Sequence, residues 1–263
     1  MRLYFEIAKK SFQRHLTYRA ANLAGIATNT FFGAIYVFVY LALFRERGTV
    51  GGINARDTVT YVIISQSLLM AMSAFANRDL SEAIIKGDIV MDFIRPVDFY
   101  AFWAALDCGR AVYYLVFRGI PTFVIGWALF GVRFPDGPAT WALFLICLAL
   151  GMSISFTFRF VTSTLAFWST DARGVNYLTG TLIMFFAGFI VPLNFFPPWL
   201  RTIAEWLPFR ALGHLPISVY LGIESGPSLA QAMAVEASWL VILILGGRFM
   251  LRQMTRRLSS HGG

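Results

Sequence analysis

From Leu23 to Phe44 the chain runs 22 residues without an Asp, Glu, Lys or Arg. About 20 consecutive apolar residues in a helix cross the ~30 Å hydrocarbon core of a bilayer. A run of that length directs the chain to a membrane before any other feature is weighed. It begins behind a basic segment and is too long for the apolar core of a cleavable signal peptide. The rest of the chain agrees: 57% of its residues are hydrophobic and only 14% are charged, against about a quarter charged in soluble domains.

Six runs read as spanning helices, near residues 23–44, 57–76, 111–131, 139–168, 175–193 and 230–250. The expected fold is all-α, a single polytopic transmembrane domain over 1–263. Placing the N-terminus in the cytosol puts thirteen Lys and Arg on the cytosolic side and six outside. By the positive-inside rule both termini are then cytosolic. The net charge of +8 is read as contact with anionic headgroups rather than nucleic acid.

Residues 1–20 do not span. Leu3, Tyr4, Ile7, Ser11 and Phe12 share one helical face, with Arg2, Glu6, Lys9, Lys10 and Arg14 on the other. This predicts an amphipathic helix lying in the interface. The outer loop, 194–229, follows the segment "FIVPLNFFPPWLRTIAEWLPF" (189–209) into a short helix over 198–207, between Pro197-Pro198 and Pro208. Ten residues cannot cross a bilayer, so this piece is re-entrant or interfacial, or a packing lid.

The sharpest interruption is "NRDLSEAIIKGDIVMDFIRPVDFYAFW" (77–103), with seven formal charges from Arg78 to Arg95. Asp79 or Ser81 caps a helix start and Glu82 sits in its first turn, where negative charge is favoured. Gly87 is a stop signal. Pro96 ends the segment, and Asp98 caps the helix that enters span three. A short, partly apolar, charged helix held off the membrane by two arms is shaped to dock onto something in the cytosol.

The stretch "IIKGDIVMDFIRPVDFY" resembles the KGD…(L/I)RP segment of ABC transporter permeases of the type-2, export-like class, which are six-span subunits. "VPLNFFPPWLRTIAEWLPF" resembles the same family's proline-broken fifth span and outer helices. The resemblance covers nearly the whole chain, and it implies that region 79–92 is a coupling helix seated in a cleft of a separate ATP-binding subunit. The implied coupling residues are Asp79, Leu80, Ser81, Glu82, Ile85, Lys86, Gly87, Asp88, Asp92 and Arg95; the closest match is Lys86-Gly87-Asp88 with Arg95-Pro96. It also implies two copies of the ATPase, which bind ATP and magnesium, and a second permease, identical or similar. The setting it implies is a bacterial inner membrane.

The chain holds no G-x-x-x-x-G-K-[ST], no H-E-x-x-H and no G-x-S-x-G, so it carries no phosphate-cradling loop and no recognisable catalytic or metal motif. Cys108 and Cys147 are read as packing residues, and the three histidines are scattered. No cofactor is expected in this chain.

Charges within the spans are functional suspects. Arg159 lies roughly 27 Å below Trp141 at 1.5 Å per residue, close enough to the inner boundary to snorkel. Arg118 is deeper, one turn before Pro121. It is read as lining an inward-facing cavity or holding a lipid phosphate, or else as snorkelling. Asp107 and Arg110 share a helical face as a local pair of small value. Met70, Phe75, Arg118, Met184 and Phe185 are the candidate lining of a path between two permeases, the alternative being ordinary packing. The expected function is ATP-driven export of a hydrophobic or amphipathic substrate. A polytopic lipid enzyme is one rival, and a passive or secondary transporter another. Against the last, no paired buried acids and no inverted repeat are visible.

Overall fold

A computed structural model describes residues 2–45, 48–72, 79–89, 92, 96–167 and 173–261. Of the residues singled out by sequence, Phe75, Arg78 and Arg95 lie outside this set. The described chain is almost entirely helical. Helices α1 (Arg2–His15) and α2 (Arg19–Leu43) open it. A two-residue-per-strand hairpin follows, β1 (Thr49–Val50) with β2 (Ile53–Asn54), then α3 (Ala55–Leu68) and α4 (Asp79–Lys86). After these come α5 (Phe99–Phe130), α6 (Pro138–Thr164) and α7 (Arg173–Phe186). Two short helices, α8 (Pro198–Trp206) and α9 (His214–Tyr220), precede the last helix, α10 (Gly226–His261).

Among the described residues four helices are long and apolar enough to cross a membrane: α2, α5, α6 and α10. Six were expected. The two others, α3 and α7, have 14 residues each. The segment 57–76 leaves regular helix after Leu68. The segment 175–193 breaks where Gly188 adopts φ +79° and Pro192 removes a donor. The hairpin was not expected from sequence; its Gly51-Gly52 turn has φ +59° and +80°, the left-handed pair a two-residue turn requires. Asn54 then caps α3, its side chain accepting the Asp57 N–H at 2.8 Å.

Each long helix packs through its small or polar positions. α2 buries only Gly25, Asn29, Gly33 and Val37, one residue per turn on one stripe, while Leu23, Phe31 and Phe38 stay exposed as lipid-facing residues do. α1 lies across the start of α5, where Gly109 leaves room for the Ala8 carbonyl and the Ser11 hydroxyl donates to the Leu106 carbonyl at 2.6 Å.

Within α5, Pro121 follows a π-turn over Leu115–Gly119. Pro121 has no N–H for the carbonyl of Phe117, four residues back. Asn22 of α2 supplies the missing donor, Nδ2 to that carbonyl at 2.8 Å.

The main core joins α3, α6, α7, α9 and α10 through Tyr61, Leu68, Leu148, Ile183, Leu215 and Leu229. The helix α9, unanticipated from sequence, is buried over its whole length. A separate cluster at the other end holds Leu80, Ile84, Ile89, Phe99, Phe160 and Met254. Helix α10 reaches α4 there through Met254; this end, which the charge bias of the sequence expects to face the cytosol, is called the inner end.

Candidate functional site

The inner site is built around α4. Asp79 and Glu82 stand in its first turn and Lys86 in its last, each charge complementing the helix dipole. Gly87 ends it with φ +78°, as Gly does when a helix closes in the left-handed region. Its two faces differ sharply. Leu80, Ser81 and Ile84 are buried, whereas Asp79, Glu82, Ile85, Lys86, Gly87 and Asp88 are exposed. Leu80 and Ser81, expected on the docking face, therefore point inward. Leu80 packs with Phe156 and Phe160 of α6, and the Ser81 hydroxyl accepts a bond from Asn176 of α7 at 3.1 Å. Asp92 is half-buried.

The two arms of α4 are fastened. Before it, Arg110 donates to the carbonyls of Met70 at 2.8 Å and Ala71 at 3.1 Å, and the Ser155 hydroxyl donates to that of Met72. After it, the Asp98 N–H donates to the Tyr4 hydroxyl at 3.3 Å and the Asp98 side chain caps α5 through the Ala101 N–H at 2.7 Å. Arg14 of α1 adds an exposed ion pair with Asp79 at 3.5 Å.

Arg110 belongs to a buried triad. Its Nε donates to Asp107 Oδ1 at 2.8 Å, and Arg159 Nη2 donates to Asp107 Oδ2 at 3.0 Å. All three side chains are 8% exposed or less. Two expectations are corrected here. Arg159 does not snorkel, because a carboxylate 52 positions away meets it inside the bundle. The Asp107–Arg110 pair is not a merely local contact of small value, because Arg159 and two backbone carbonyls complete it out of water.

A cavity of about 340 Å³ lies between α1, α4, α5 and α6, with Arg14, His15, Lys86, Arg110 and Arg159 among its lining residues. Burial pushes the His15 imidazole below its ordinary range.

Arg118 is not turned toward this cavity. It sits in the π-turn, crosses to α2 in the space left by Gly25 and donates from Nη2 to Asn29 Oδ1 at 3.0 Å. Asn29 donates in turn to the Gln66 carbonyl at 2.9 Å. Met70 is half-buried. Met184 packs on the main core and Phe185 on an outer cluster with Leu193 and Phe196.

The outer end carries groups that sequence reasoning did not single out. Tyr61, His214 and Ser218 form a buried chain, with the hydroxyl of Tyr61 3.3 Å from His214 Nδ1 and that of Ser218 3.3 Å from Nε2. Burial, aided by Arg210 and Arg201, pushes the His214 pKa down to about 3. Arg210, which the sequence places in the outer loop 194–229, is buried and donates to Glu224 Oε1 at 3.2 Å. Glu236 of α10 is 0% exposed. Two acids, Asp107 and Glu236, are thus buried in the bundle, and neither is bonded to another carboxylate. The signal for Glu236 was available: it is the lone formal charge between Gly226 and Gly247.

Among the described residues, no group of three or more His, Cys, Asp or Glu is placed to hold a metal ion. Compared with known families, residues 31–262 match the model of the ABC-2 family transporter proteins. No curated protein matches the chain significantly.

Proposed function

The chain belongs to the ABC-2 family of transporter proteins and is a multi-pass membrane subunit with a permease role, and from that premise we propose that it exports a hydrophobic or amphipathic substrate, driven by a separate cytosolic ATPase that docks on α4. In this reading the ATPase is present in two copies and binds ATP and magnesium. A second permease, identical or similar, completes the pathway, and both termini face the cytosol of a bacterial cell.

The observation that carries the reading is the two-sidedness of α4. Leu80 and Ile84 lock one side into the membrane bundle, while Asp79, Glu82, Ile85, Lys86 and Asp88 leave the other open. A docked partner pushing on that open side moves an element already fastened to α1, α6 and α7. The contact surface is accordingly the exposed set, continued by Asp92 and Arg95, with Leu80 and Ser81 as its anchors. Met70, Phe75, Met184 and Phe185 remain the proposed path lining between two copies; Arg118 is withdrawn from it, since its guanidinium is committed to Asn29.

The test is charge reversal on the open face. Glu82→Lys or Lys86→Glu should abolish transport-coupled ATP hydrolysis in the copurified complex while leaving membrane insertion normal. Unchanged coupling in both variants would overturn the proposal.

A further inference from the structure

Arg210 lies in the tight turn Pro208–Leu212, buried over its whole length and pressed on α6 where Gly151 admits the Ala211 carbonyl. Two carboxylates flank it. Glu224 accepts a bond from Nη2 at 3.2 Å and is 16% exposed. Glu236 Oε1 stands 4.0 Å from Arg210 Nε, beyond hydrogen-bonding distance. Neither oxygen of Glu236 has a hydrogen-bond partner, and neither does Arg210 Nε. A fully buried carboxylate without a single donor is untenable as an anion in a membrane helix.

Among the described residues, Arg210 is the one cation acting on Glu236. On α10, Glu236 is the lone charge from Gly226 to Gly247. The facing half of α6, Pro138 to Phe158, has Cys147 as its one titratable side chain. On α9, His214 is engaged with Tyr61 and Ser218, and the Tyr220 hydroxyl is buried without a partner. On α8, Arg201 and Glu205 pair with each other at 2.8 Å. Two acids therefore share one guanidinium, and such a set holds a proton.

We propose that Glu236 is a proton-binding site whose occupancy decides whether Arg210 is held by Glu224 alone or is shared with the last membrane helix. With the proton on, Glu236 is neutral and Arg210 stays with Glu224, the arrangement in this structure. With the proton released to the outer medium, the Glu236 carboxylate draws the unpartnered Nε–H across the 4.0 Å gap and ties the turn to α10. The movement reaches the residue that follows α7, because the His214 N–H just beyond the turn donates to the Ala187 carbonyl at 2.8 Å. It also reaches the outer surface, because Trp239, one turn along α10, donates to the Trp206 carbonyl at 2.7 Å. The outer face of the permease is thereby sensitive to external protons, independently of what drives α4.

The experiment is infrared titration of the full chain in lipid nanodiscs, with tryptophan fluorescence read in parallel. Wild type should show a protonated carboxylic acid C=O stretch at neutral pH, lost in Glu236→Gln, and a fluorescence transition on release of that proton that the same variant abolishes. Glu224→Gln frees Arg210 for Glu236, so it should move both signals about one pH unit or more toward acid. If wild type and Glu236→Gln have the same carboxylic acid band at neutral pH, Glu236 is an anion hydrated by water and the proposal fails. It fails equally if Glu224→Gln leaves the transition in place, a result that does not depend on Glu236→Gln folding.

Discussion

The two ends of the molecule bury the same kind of charge and satisfy it in opposite ways. At the inner end one acid, Asp107, is held by two bases, and both of its oxygens are bonded. The spare donors of Arg110 close on the carbonyls of Met70 and Ala71. At the outer end one base, Arg210, stands between two acids, and the more deeply buried acid has no bond at all. Excess donors with carbonyls in reach make a fixed joint. Excess acceptors around a single guanidinium make a joint with two settings. A fixed joint suits the arms of the proposed docking helix; an adjustable one suits the proposed proton site.

Removing Asp107 should have the largest effect. Asp107→Ala leaves two buried guanidiniums facing each other without a counterion. Breaking a buried charge set in this way costs about 3–5 kcal/mol, read as a lower thermal midpoint in detergent or as lost insertion. Neutralisation at the outer end should not follow this pattern. Glu236→Gln removes no hydrogen bond, so its cost stays below about 1 kcal/mol. Equal losses at the two sites would erase the distinction between a fixed and an adjustable joint.

How much of this was legible in the sequence differs by the range of the interaction involved. The long spans, the amphipathic first helix, the Asp98 cap and the Gly87 stop were readable because each depends on neighbours within a few turns. The length of α7 was not, since ending it at Phe186 depends on Gly188 taking a left-handed conformation against the Tyr61 hydroxyl. The roles of Arg159 and Arg118 were misjudged because depth along a helix says nothing about which neighbour a side chain meets. Asp107 is 52 positions from Arg159, and Asn29 is 89 positions from Arg118. The exposed side of α4 was legible as charge, but the inward aim of Leu80 and Ser81 required knowing where α6 and α7 lie. Glu236 was visible as an isolated acid, yet its importance appears only with Arg210 folded back over it.

Acid should separate the ends by a smaller margin. His214 is neutral in the fold with its pKa near 3 and returns to 6.5 on unfolding. The unfolded chain therefore binds the proton first. The contribution of His214 is complete above pH 6.5 and is lost progressively as pH falls toward 3. Between pH 7 and pH 5 the loss amounts to about 2 kcal/mol. His15 at the inner end shifts the same way but is half-buried, so its share is smaller. His214→Gln should flatten the acid limb of a stability–pH curve far more than His15→Gln. The reverse order would place the acid-sensitive element at the inner end.

The smallest expected change in stability is on the open face of α4, and it is also the most informative about docking. Glu82 and Lys86 pair at 3.5 Å with both side chains more than half exposed. Exposed helix pairs of this spacing contribute about 0.3–0.5 kcal/mol, so either single reversal should barely move the thermal midpoint. Exchanging both, Glu82→Lys with Lys86→Glu, restores an ion pair within α4 while inverting the charge pattern a partner meets. If the pair serves only the helix, the exchanged protein should couple to ATP hydrolysis like the wild type. If the pair is part of a docking surface, coupling should stay lost although stability has returned. A compensating exchange on the facing surface of the ATPase should then recover it.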